Sequence, residues 1–377
     1  MINLISSATA LPPHRFDTTE LIGSLMYKLS PELINTINSL GVEQRYSTLA
    51  NYPEYLAGDA MQQTHSSTDL GINAARNCIA RWGGDPRRIG LLIAATNTPS
   101  QLLPCLASEV MANMYGQLSR TISTVSMQAQ GCSVLLKAIE VARWYLCYNP
   151  SKLAIVLMSE AHTPHITPLL SDEYYGYREL ARLRKTKGLA DAALEELRLD
   201  TTFVIQSMLF GDGAVALLLG RDEGEAAFGP IAHLTNDEPA DVELLSMDWG
   251  SMLPSDHSRP HYFMRPNVPH RGAHYAVTTV RKVLSDPASP VADLADVADC
   301  LIHTGSKKIL DGVCTQLALA PADAKVRTSY DILQRYGNLS SASTGFMLAE
   351  KDARRGPALV VGFGVGFAAS AGIVNFN

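Results

Sequence analysis

Apolar positions along the chain fall into two alternating kinds of run. IGLLIAATN (89–97) and LAIVLMSE (153–160) are continuous and apolar, the pattern of strands covered on both faces. Between them, ASEVMANMYG and LLKAIEVARWYL space their apolar residues at helical intervals. The second part of the chain repeats the alternation. ADCLIHTG (298–305) is strand-like, SKKILDGVCTQLAL is helical, and PALVVGFGVGFAASAGIVNF (357–376) reads as two strands hinged at glycines. This alternation predicts an α/β layered fold with mostly parallel strands and helices outside.

Two pairs of segments look like copies of each other. MLFGDGAVALLLG (208–220) and VGFGVGFAASAGIV (361–374) share a Phe-Gly-x-Gly step inside an apolar two-strand pattern. GCSVLLKAIEVA (131–142) and GNLSSASTGFMLAE (337–350) each set a glycine and a small polar residue before a helical stretch. Two βαβ-rich halves, roughly 1–222 and 223–377, account for both pairs. One stretch breaks the regularity: DEYYGYRELARLRKTKGLADAALEELRLD (172–200) is charged and helical between two core strands. It reads as a lid or dimer contact, or equally as a solvated helical excursion.

Composition narrows the function class. The chain has 377 residues, room for two domains or one large two-part unit, and 46% hydrophobic content is enough for a sizeable core. A net charge of −6 without a basic block argues against nucleic acid as a target. No run of 18 apolar residues predicts a membrane span. MINLISSATALPPHRF lacks a basic n-region, so no signal peptide is expected. Six scattered cysteines without CxxC spacing favour reduced thiols in the cytoplasm over disulfides or a metal site.

Four features carry candidate chemistry. Cys132 stands where a helix begins, near unpaired N–H groups and the positive end of a helix dipole, which favour thiolate. The alternative is a buried core thiol. His303 ends an apolar strand, where α/β folds build sites, and reads as a base or hydrogen-bond donor, or as a structural residue. Of the other histidines, His257, His261, His270 and His274 fall in a polar stretch. Asn338 reads as a helix N-cap or as an amide donor beside His303. GFGVGF (362–367) is a tight turn, or a backbone N–H aimed at an oxyanion.

Together these stretches resemble the thiolase-fold condensing enzymes, in particular the β-ketoacyl-ACP synthase III and type III polyketide synthase branches. QGCS around Cys132 is similar to their nucleophile turn, and LFGDGA (209–214) to their strand-turn signature. IHTGSKKILD (302–311), YGNLSSAS (336–343) and GFGVGF resemble their His, Asn and terminal Gly-rich motifs. GVEQRY (41–46) and TDLGINAA (68–75) fit the N-terminal pattern, and all seven occur in family order.

The resemblance implies a thiolase-like fold of two duplicated halves in five α-β-α-β-α layers. It implies a Cys132–His303–Asn338 triad, with Cys132 taking an acyl group and His303 and Asn338 stabilising a carbanion after loss of CO2. The backbone N–H groups of Cys132 and Val365 would form the oxyanion hole. Phe210 and Gly364 would line the substrate pocket. Leu103, in TPSQLLPC, would reach across a homodimer into the partner's pocket. Acyl-CoA or acyl-ACP thioesters would be the substrates, with no metal and no bound cofactor.

The chain also departs from the pattern. Leu103 stands where some relatives have a glutamate base, Val365 replaces the usual Pro or Gly, and HTG replaces HPG. With the long 172–200 stretch, these imply a secondary-metabolic member forming a polyketide, pyrone or related product. Two other functions stay open: acyl transfer to an oxygen or nitrogen acceptor, and a non-catalytic partner subunit. Arg45 and YRELARLRKTK (177–187) would either meet a phosphopantetheine carrier or form a solvated charged face.

Overall fold

The computed structural model describes residues 2–247, 261–265, 267–321, 323–350 and 355–377. His257 lies outside them. The first part of the chain runs β1 (Ile2–Ala10), β2 (His14–Asp17), α1 (Thr18–Leu25), α2 (Pro31–Asn38), β3 (Gln44–Ser47), α3 (Tyr52–Ala57), α4 (Ser67–Trp82) and β4 (Ile89–Thr96). It continues with α5 (Leu106–Asn113), β5 (Ser123–Gln128), α6 (Val134–Tyr148), β6 (Leu153–Glu160), α7 (Tyr177–Lys187), α8 (Asp191–Leu209) and β7 (Gly213–Gly220). The second part runs β8 (Ala226–Thr235), β9 (Leu245–Ser246), β10 (Phe263–Met264), α9 (Val268–Leu284), β11 (Asp299–Ile302) and α10 (Lys307–Gln316). It ends with α11 (Arg327–Tyr336), α12 (Ser343–Ala349), β12 (Gly356–Gly364) and β13 (Ala368–Phe376).

Nine strands form one sheet in the order β11-β12-β13-β8-β1-β7-β6-β4-β5. The order β8-β13-β12-β11 repeats β1-β7-β6-β4: first strand, last strand, then the two inner strands in reverse chain order. The two runs join where Ile2–Leu4 of β1 pair with Ala226–Phe228 of β8. Only β4–β5, β4–β6 and β11–β12 are parallel; the other five pairings are antiparallel. The sheet is therefore mixed, not mostly parallel. The physical reason is that β7 and β13 each return beside the first strand of their run, and so lie antiparallel to both neighbours.

Helices supply the layers. α4 covers β1, β7 and β6 on one outer side, and α9 covers β13, β8 and β12 on the other. Between the two runs lie α6 and α12. α6 packs on β6 and β4 of the first run and on β13 and β12 of the second; α12 packs on β7 and β1, and on β11 and β12. This is the five-layer α-β-α-β-α arrangement. Both middle helices are apolar because both faces are covered: Leu135, Ile139, Ala142, Phe346 and Met347 share one buried cluster with residues from both runs. Each of the larger ones, Leu135, Ile139, Phe346 and Met347, contributes about 1.5–3 kcal/mol by leaving water.

β4 and β6 are buried at every position, as their unbroken apolar runs require. α4 starts at a capping box in which Ser66 and Asp69 satisfy each other's backbone N–H. MLFGDGAVALLLG is not two strands: Met208 and Leu209 end α8, and a strand begins only at Gly213. The 172–200 stretch forms α7 and the start of α8. α8 does not stay on the surface. Its last turns, from Val204 to Leu209, are buried against α1, α2 and α3. No helix among the described residues is long and apolar enough to cross a membrane.

Candidate active site

Cys132 sits two residues before α6, and Asn338 opens the turn leading to α12, so the two middle helices point their N-terminal ends at one place. His303 follows the last residue of β11, with its backbone N–H donated to Val361 of the neighbouring β12 (2.8 Å). All three side chains are buried and line one cavity of about 60 Å³. Phe210, Gly364 and Val365 line it too. The rest of the wall is mostly apolar, including Leu209, Tyr275, Phe363 and Phe367.

The glycine-rich loop fits Cys132 because its glycines lack side chains. A Cβ on Gly364 would stand 2.9 Å from Cys132 N and 3.2 Å from its Sγ, and one on Gly362 would stand 2.8 Å from Cys132 O. A Cβ on Gly131 would stand 2.9 Å from Val365 N, so the Val365 amide approaches the turn that carries the cysteine. Among the described residues neither the Cys132 nor the Val365 amide donates to a backbone carbonyl.

LFGDGA builds the other side. Phe210 bridges to Asn338, Asn338 N donates to Leu209 O (2.9 Å), and Gly211 N donates to Asn338 O (3.3 Å). Asp212 is fully buried and accepts from Thr48 N and Oγ1, His162 N, and Thr163 N and Oγ1. Asn338 is not a helix N-cap, since Leu339 and Ala342 precede the 3-10 turn at 340–342 and α12; its Oδ1 instead accepts from Ser340 N (2.8 Å) in an Asx turn. Its Nδ2 reaches Gly305 O at 3.4 Å. The turn bond leaves the donor reading of Asn338 open, because the two use different atoms of one amide.

The electrostatics differ from expectation. Burial pushes the Cys132 thiol up to about 12, with Glu160 adding to the rise and the Ser340 hydroxyl opposing it. Desolvation is the largest cause, and it favours a thiol at rest. Burial also holds His303 down to about 3, so the imidazole is neutral. Its Nδ1 has no hydrogen-bond partner among the described residues, and its ring meets Phe363 edge-on at 5.5 Å.

A polar network behind the cysteine was not singled out from the sequence. Glu160, fully buried at the end of β6, accepts from Asn97 N and Nδ2, Thr98 Oγ1 and Ser341 Oγ. Asn97 Nδ2 also donates to Ser340 Oγ (3.0 Å), and Asn97 Oδ1 accepts from Gly131 N (2.9 Å). Ser340 Oγ lies 3.3 Å from Cys132 Sγ. The available signal was that IGLLIAATN and LAIVLMSE, otherwise apolar, both end in polar residues at the C-terminal edge of the sheet.

Other expectations fall differently. Leu103 is 84% exposed and does not line the cavity of its own chain. Arg45 is fully buried, donating to Thr18 Oγ1 (2.6 Å) and Ser207 O (3.2 Å), so it faces no carrier. Burial lowers its pKa to about 10. The basic stretch 177–187 is α7, mostly exposed, as a solvated face would be. His261 is buried, 2.7 Å from His162 Nδ1 through its Nε2, despite its polar sequence context. No group of three metal-ligating side chains gathers among the described residues.

A layered α/β fold with a cysteine, a histidine and an asparagine around one apolar cavity defines a class, and comparison with known proteins agrees. Residues 291–376 match the family described as 3-oxoacyl-[acyl-carrier-protein] synthase III C terminal. The chain is 26% identical to a 3,5-dihydroxyphenylacetyl-CoA synthase of Amycolatopsis orientalis, over 92% of this chain and 85% of that protein. It is 27% identical to a β-ketoacyl-[acyl-carrier-protein] synthase III of Sphingopyxis alaskensis, over 82% and 84%. Its fold matches the type III polyketide synthase domain of "Steely1" from Dictyostelium with TM-score 0.76 and 16% identity, over 100% and 99% of the chains. The chain has the thiolase-type fold and is similar in sequence to condensing enzymes, which are acyltransferases. Enzymes of this family act on acyl thioesters.

Proposed function

We propose that the chain is a ketosynthase of secondary metabolism that builds a β-ketoacyl product by decarboxylative Claisen condensation. The observation that carries this reading is the convergence of Cys132, His303 and Asn338 on one mostly apolar cavity. Cys132 attacks an acyl thioester, its proton passes to His303, and the CoA or carrier thiolate leaves. The Cys132 and Val365 amides hold the oxyanion. A malonyl thioester then loses CO2, and His303 and Asn338 hold the enolate oxygen. The carbanion attacks the acyl group; a C–C bond forms, the C–S bond to Cys132 breaks, and the thiol is restored. Because cysteine and histidine are both neutral at rest, thiolate forms only as substrate arrives. A homodimer in which Leu103 enters the partner's pocket accounts for a leucine left 84% exposed.

Intact-protein mass spectrometry with a panel of acyl-CoAs tests the reading. Cys132→Ala should abolish the acyl adduct. Asn338→Ala should load normally while radiolabelled CO2 release from a malonyl thioester falls about a hundredfold. Loss of loading alone in Asn338→Ala would show the roles to be wrong. An adduct that releases no CO2 points instead to acyl transfer onto oxygen or nitrogen, and no adduct at all to a non-catalytic subunit.

A further inference from the structure

Two cavity-lining side chains keep a buried polar atom without a hydrogen-bond partner among the described residues: His303 Nδ1 and the Tyr262 hydroxyl. His303 has a role in the condensation. Tyr262 has none, yet it is firmly placed. Its N–H donates to Gln206 Oε1 (3.1 Å), and its carbonyl accepts from Gln206 Nε2 (2.5 Å). Gln206 is itself buried on α8, so the helix that began as an irregular insertion ends by clamping a cavity residue. The Tyr262 ring packs on Phe210 with centroids 5.2 Å apart and on His261 at 4.4 Å.

A buried hydroxyl without an acceptor costs about 1–3 kcal/mol, a cost that a bound ligand's acceptor removes. The neighbouring donors are already engaged. Ser340 Oγ receives Asn97 and meets Cys132 Sγ, and Asn338 Nδ2 is directed to Gly305 O. Burial, with Glu160 and Cys132 nearby, raises the Tyr262 pKa well above its usual value; the Ser340 hydroxyl is close enough to oppose the rise but forms no hydrogen bond of normal geometry with it, so the Tyr262 hydroxyl remains an available donor. In a cavity otherwise lined largely by apolar groups, with the thioester carbonyl assigned to the Cys132 and Val365 amides, this hydroxyl is left to an acceptor further along the acyl chain. A saturated acyl chain offers it no acceptor. A chain that has undergone one condensation offers an oxo oxygen.

We propose that Tyr262 donates a hydrogen bond to an oxo oxygen on the acyl chain held by Cys132, selecting 3-oxoacyl groups for a further round of extension. This rests on the condensation reading above. The test compares wild type with Tyr262→Phe, which keeps the ring and removes the hydroxyl. Each is given a saturated acyl-CoA or the 3-oxoacyl-CoA of equal length, with malonyl-CoA, and kcat/KM for extension and product masses are measured.

In Tyr262→Phe, extension of the 3-oxoacyl starter should fall about tenfold, and extension of the saturated starter should stay within about twofold. Products of more than one round should be depleted. Equal loss with both starters, or no loss with either, overturns the proposal. So does a wild type that extends only saturated starters. If wild-type Cys132 takes no acyl group at all, the condensation reading fails and this inference fails with it; a loaded enzyme without starter discrimination sinks this inference alone.

Discussion

LFGDGA and GFGVGF carry the same Phe-Gly-x-Gly step at the entrance to β7 and β13, and each reaches across to the other run of the chain. The first docks on Asn338, the second on Cys132. They differ in the residue between the last two glycines. Asp212 is buried under five donated hydrogen bonds and does not line the Cys132 cavity. Val365 brings no polar side chain, lines the cavity, and leaves its amide near the cysteine turn. One copy of the step is a brace and the other a wall. The lesson is that a shared glycine pattern specifies close backbone approach, while the intervening side chain decides whether the approach stiffens the protein or shapes its site.

The largest effect should come from removing the brace. Asp212→Ala strands buried donors from Thr48, His162 and Thr163, and denaturant unfolding should show a loss of about 3 kcal/mol or more. Gly211→Ala should act the same way, because its Cβ would stand 2.2 Å from the Tyr336 carbonyl oxygen, a backbone atom that cannot turn aside. If Asp212→Ala instead kept full stability and lost only activity, the brace assignment would be wrong.

Gly364→Ala should show the opposite balance. Its Cβ meets Cys132 N and Sγ, so acyl loading by mass spectrometry should fall about a hundredfold while stability drops by only about 1–3 kcal/mol. A Gly364→Ala protein that loads normally would remove the loop from the site.

A smaller effect concerns the charge state of the wall's neighbour. Alkylation of Cys132 by iodoacetamide in the free protein should keep rising with pH beyond 9, because burial holds the thiol near 12. A plateau near pH 8 would mean that the helix start prevails over desolvation. The smallest effect is on stability against pH. In the unfolded chain His303 takes a proton near pH 6.5, but in the folded chain only near 3. Its depressed pKa therefore favours folding above 6.5, and this contribution is lost as pH falls. Between pH 7 and 5, His303→Asn should unfold with a shallower pH dependence, by up to about 1.4 kcal/mol per pH unit. An unchanged slope would mean that His303 is not buried neutral.

Much of the fold was legible because local rules and tertiary burial agreed. LAIVLMSE is apolar throughout since β6 is covered on both faces, and it spans the residues its pattern marks. MLFGDGAVALLLG misled because α8 ends in apolar residues that pack on α1–α3, which an apolar run cannot distinguish from a strand. Strand direction was also out of reach, since it depends on where β7 and β13 return within the sheet.

For the site, the sequence by itself determined the candidates: a cysteine before one helix, an asparagine before another, a histidine at a strand end and glycines where backbones must meet. Those are local requirements of residue type and spacing. Only the tertiary structure decided that these lie around one cavity, that Glu160 and Asn97 stand behind the cysteine, and that Gln206 fixes Tyr262 in the wall. It also decided the charges. A helix start favours thiolate in isolation, but whether it prevails depends on how much water the surrounding layers exclude, and that is a property of the packed interior.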